Sequence, residues 1–73
     1  MKELYQLALD LEGAVSGDAN NPVITIYNYA SRESNIKRYP LLIKQAKEQV
    51  LKYELEEITS RQGKIQLMFK EIK

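Results

Sequence analysis

A chain of 73 residues holds one domain (1–73), close to the size at which a single hydrophobic core is only just sufficient. Its composition, 44% hydrophobic and 29% charged, is globular, and a net charge of +1 directs the whole molecule toward neither nucleic acid nor an anionic membrane. The chain has no cysteine and no histidine, which excludes disulfides, thiolate ligands, the commonest metal ligand and the commonest general base.

Residues 2–16 are predicted to form a first helix. Leu4, Leu7, Ala8, Leu11, Ala14 and Val15 recur at steps of three and four and make one apolar stripe, which Tyr5 and Leu9 widen. Gly13 weakens the last turn and Gly17 offers the better end. Glu3 and Asp10 interrupt the apolar residues, which argues against a signal peptide, and no apolar run approaches the length of a membrane span. The expectation is a cytoplasmic protein with no membrane partner.

Asp18 to Pro22 is a loop rich in turn-forming residues. Residues 23–29, Val-Ile-Thr-Ile-Tyr-Asn-Tyr, are predicted as a strand from their β-branched and aromatic content, with both faces apolar enough to be covered. Residues 30–39 are polar and expected as a surface loop, with room for one helical turn near Ser34–Lys37.

A long second helix is predicted over 40–62. Pro40 suits a first helical position, where its missing N–H costs nothing, and Gly63 suits the turn after the end. Leu42, Ile43, Ala46, Val50, Leu51, Tyr53, Leu55 and Ile58 gather on one side, and Lys44, Glu48, Lys52 and Glu56 alternate in sign on the other. Residues 64–72 alternate as a second strand with Ile65, Leu67 and Phe69 inward.

The resulting expectation is a small two-layer α+β domain in the order helix, strand, helix, strand. The simplest connection is a right-handed βαβ crossover with parallel strands, although the 30–39 loop also permits an antiparallel return. Two strands alone make a poor sheet, so a second subunit is expected to complete or cover it.

No catalytic residue, cofactor or metal ligand is predicted, and an enzyme is not expected. Glu54, Glu56 and Glu57 cluster along what reads as a regular helix, where hard-cation sites are not built. Gly13, Gly17 and Gly63 form no phosphate-binding pattern. The basic stretch 31–47 supplies candidate anion or nucleic-acid contacts in Arg32, Lys37, Arg38 and Lys44, with Tyr39 as a stacking surface. Tyrosine is enriched at interfaces, and Tyr27, Tyr29, Tyr53, Leu51, Leu55 and Ile58 are the candidate interface. The leading functional expectation is a non-enzymatic protein-interaction module. It would act as an adaptor, regulator or inhibitor, of the kind phages and mobile elements encode. It is expected to bind a protein partner and to work as a homo-oligomer, most simply a homodimer. A nucleic-acid or nucleotide-binding module is the alternative.

Overall fold

In the computed structural model, which describes residues 2–27, 31–61 and 63–72, the chain runs helix, two strands, helix, two strands. The order helix, strand, helix, strand is therefore incorrect, and two of its elements divide. The first is the helix expected over 2–16, which ends as α1 at Lys2–Asp10. The N–H of Leu11 still bonds the Leu7 carbonyl, but Glu12 adopts φ 57° and turns the chain back into strand β1, Gly13–Gly17. Ala14 and Val15 fall on the helical stripe by spacing alone. Gly13 is what lets β1 lie close to its neighbour, since a Cβ there would stand 2.8 Å from the Thr25 carbonyl oxygen.

Strand β2, Pro22–Tyr27, pairs antiparallel with β1, placing Val15 opposite Ile24. Their loop is stabilised by the Asp18 carboxylate, whose Oδ1 accepts from the N–H groups of Asn20 (2.9 Å) and Asn21 (2.8 Å). The end of the strand expected over 23–29, Asn28 and Tyr29, lies outside the described residues.

The second division is at the long helix expected over 40–62, which separates into helix α2, Arg32–Gln49, and strand β3, Tyr53–Arg61. Helix α2 begins eight residues before Pro40 because Ser31 caps it, its Oγ accepting from the Ser34 N–H at 3.1 Å. Pro40 is then an interior residue, tolerated on an exposed face at the loss of one helical hydrogen bond. At the other end, the Val50 N–H makes the last bond, to Ala46. Beyond it, Leu51, Leu55 and Ile58 keep helical spacing for a different reason. The β3 register skips between Leu55 and Glu57, so a bulge turns a two-residue alternation into a three-residue step.

Strand β4, Lys64–Glu71, lies inside the sheet, whose order is β1-β2-β4-β3 with every neighbour antiparallel. The two expected strands, for which a parallel crossover was the simplest arrangement and an antiparallel return the alternative, are direct antiparallel neighbours, with Ile24 opposite Leu67. Helix α2 instead carries the chain over β4 to the far edge. Both helices cover one face of the sheet. The core joins Leu4, Leu7 and Ala8 of α1 and Leu42 and Ala46 of α2 to Ile24, Ile26, Ile65, Leu67 and Phe69 of the central strands. Two inner strands, each with two partners, remove the need for a second subunit to complete the sheet.

Candidate functional site

The sheet face away from the helices is assembled by register, since residues opposite each other on neighbouring strands share a face. Val23, Met68 and Glu57 form one row across β2, β4 and β3, and Thr25, Gln66 and Thr59 the next. Thr25 is only 7% exposed although no helix covers it, because flanking strands enclose it on both sides. The row after that is Tyr27, Lys64 and Arg61. Tyr27 is 60% exposed, and Lys64 Nζ stands 5.7 Å from the centre of its ring, a cation–π contact worth about 0.5–1 kcal/mol at an open site.

The start of α2 is tied to this same end of the sheet. Asn35 is fully buried in the first turns of the helix, and its Nδ2 donates to the Ser60 Oγ at 3.0 Å. The exposed side chains of Lys37 and Arg38 therefore stand on the helix layer near the end where Arg61 and Lys64 stand on the sheet. Arg32 opens the helix, and its side chain lies outside the described part. Lys44 is exposed but about 14 Å farther along the helix axis than Asn35 at 1.5 Å per residue, so it does not join the group. Tyr39 is half-buried and packs against the core.

The candidate interface residues are dispersed. Tyr53 is 7% exposed, with its hydroxyl donating to the Ala19 carbonyl at 3.1 Å. Leu55 and Ile58 pack half-buried against the core, Leu51 projects from the α2–β3 turn, and Tyr27 stands on the open face. Tyr29 lies outside the described residues.

Arg61 and Lys64 were not among the candidates. Their one signal was Gly63, which reads equally as the turn after a helix or as a turn between strands, and the register sets 61 opposite 64. The sheet edges were equally invisible while only two strands were expected. An open groove of about 470 Å³ runs beside Ala46, Val50, Tyr53, Leu55, Phe69 and Ile72, with Lys47 and Glu54 also in its lining. Among the described residues no group of three carboxylates could hold a metal ion, and no helix is long and apolar enough to cross a membrane. Compared with protein-family models, curated proteins and solved structures, the chain finds no match.

Proposed function

We propose that this chain is a non-enzymatic protein-interaction module, an adaptor, regulator or inhibitor, that works as a homo-oligomer in the cytoplasm. The observation that carries the reading is the apolar surface. Tyr5, Leu9, Tyr27, Leu41, Leu51 and Ile72 are all more than half exposed on a chain of only 73 residues. Apolar side chains that stand together on a surface mark contacts with other proteins, and Tyr5 and Leu9 stand one turn apart on α1. Sedimentation across the micromolar range is expected to show mass rising above that of one chain, and a monomer at every concentration overturns the homo-oligomer part.

A second reading, nucleic-acid or anion binding, is favoured by one arrangement: Tyr27, Lys64 and Arg61 in a row, with Lys37 and Arg38 at the same end. An aromatic ring beside cations on an open sheet suits single-stranded nucleic acid. A labelled single-stranded oligonucleotide at low salt should bind, and affinity should fall as salt rises with a logarithmic slope of about −2 for three phosphate contacts. Replacing Arg61 and Lys64 by alanine should weaken binding more than Lys44→Ala. Absence of low-salt binding removes this reading.

A further inference from the structure

We propose that β1 is the edge through which two copies join, pairing antiparallel with its own copy about a two-fold axis at Val15. This rests on the homo-oligomer reading above and names its interface. Four strands from each copy would then form one continuous eight-stranded sheet.

The two edges of the sheet are built differently. Edge strands carry unpaired N–H and C=O groups, and proteins guard them with charges and bulges. Strand β3 has both: a register break after Leu55, and exposed Glu54, Glu56, Glu57 and Arg61. Strand β1, Gly-Ala-Val-Ser-Gly, has neither. Its Ala14 and Ser16 are exposed, small and neutral, so a second β1 meets no like charge and no bulk. Pairing β3 with its own copy would bring the glutamates of one chain against those of the other.

Helix α1 supplies a second, independent indication. It packs on β1 and β2, and one of its flanks is fixed by Glu3, whose carboxylate accepts from the Lys52 N–H at 2.8 Å in the α2–β3 turn. Gln6 shares that hollow with Glu3 and Lys52. At 100° per residue, Tyr5 then falls on the opposite flank, toward the free edge of β1, and Leu9 lies between that flank and the outer face of the helix. They are 58% and 71% exposed there.

The spacing also fits. Strands lie about 4.8 Å apart, so a helix seated over the β1–β2 pair stands about 5 Å to one side of a β1–β1 axis. The two-fold then sets the two α1 helices about 10 Å apart, the separation of packed helices, with Tyr5 between them and Leu9 over the top of the contact. One rotation therefore satisfies the strand edge and the exposed helix flank together, as a self-complementary interface requires.

Pairing about Val15 places Ala14 of one chain opposite Ser16 of the other, and the natural chain has no cysteine to confuse a cross-link. Full-length Ala14→Cys and Ser16→Cys chains, with thermal melts matching the unaltered protein, are mixed in equal amounts and oxidised at a concentration where sedimentation shows dimer. The expected result is several-fold more mixed disulfide than same-chain disulfide, and more than Ala14→Cys gives with a Glu57→Cys chain. A dimer without that excess overturns the β1 seam and leaves the homo-oligomer reading standing. No dimer at any concentration overturns both.

Discussion

Glu12 is a bulky residue held at φ 57°, a conformation that costs L-residues other than glycine about 1–2 kcal/mol. It is the hinge by which α1 folds back onto β1, so the strain is accepted where a glycine would have been natural. Glu12→Gly removes the strain but frees the unfolded chain, and the balance should stabilise the protein by about 0.5–1 kcal/mol in urea melts. A loss of stability would mean that the Glu12 side chain holds something the turn needs. Val50 shows the opposite sensitivity. It is buried where α2 meets β3, and Val50→Asp places a charge among Ala46, Tyr53 and Phe69, at a groove that Lys47 and Glu54 also line. A chain of this size has a stability of roughly 5 kcal/mol or less, so the variant should unfold. Lys52→Asp, on an exposed turn, should lower stability by much less, chiefly by setting a new carboxylate near Glu3. Equal thermal midpoints for the two variants would contradict this placement.

At the scale of elements, α2 contains its own weak point. Pro40, its ninth residue, lacks the N–H that would bond one turn back, and it faces solvent. Pro40→Ala restores that bond in an exposed helix and should stabilise the protein by about 1–3 kcal/mol, less what the more flexible unfolded chain recovers. A destabilised variant would show that the proline shapes the helix to fit the sheet. The same residue explains how far the elements were legible. A proline before a long apolar pattern is a sound helix-start signal, but the weaker Ser31-x-x-Ser34 cap marked the start that forms. Spacing failed at β3 because its bulge counterfeits a helical step, with Leu51, Leu55 and Ile58 at intervals of four and three. It failed at β1 because a five-residue strand carries too few positions to distinguish periods of two and 3.6. The strand at 22–27 was legible from its β-branched residues, and the one at 64–71 from the alternation of Ile65, Leu67 and Phe69. The basic end was half legible: Lys37 and Arg38 were visible as a run, whereas Arg61 and Lys64 reach that end only through the hairpin.

At the scale of the molecule, one layer of two helices on a four-stranded sheet leaves a bare sheet face, an edge with charges and a bulge, and a short edge that among the described residues carries neither. The bare face carries mixed rows of apolar, polar and charged residues. The β1 edge, together with Tyr5 and Leu9, is the place of the dimer seam we propose. A seam of one short strand and two side chains is small, so its affinity belongs to the weak, concentration-dependent class. The most direct measurement is amide hydrogen exchange across 13–17, followed from dilute to concentrated protein. Protection of the outward-facing β1 amides should rise with concentration, while amides on the outer edge of β3 keep the same rates. Exchange in β1 that does not change with concentration, in a sample whose mass shows dimer, would contradict the account.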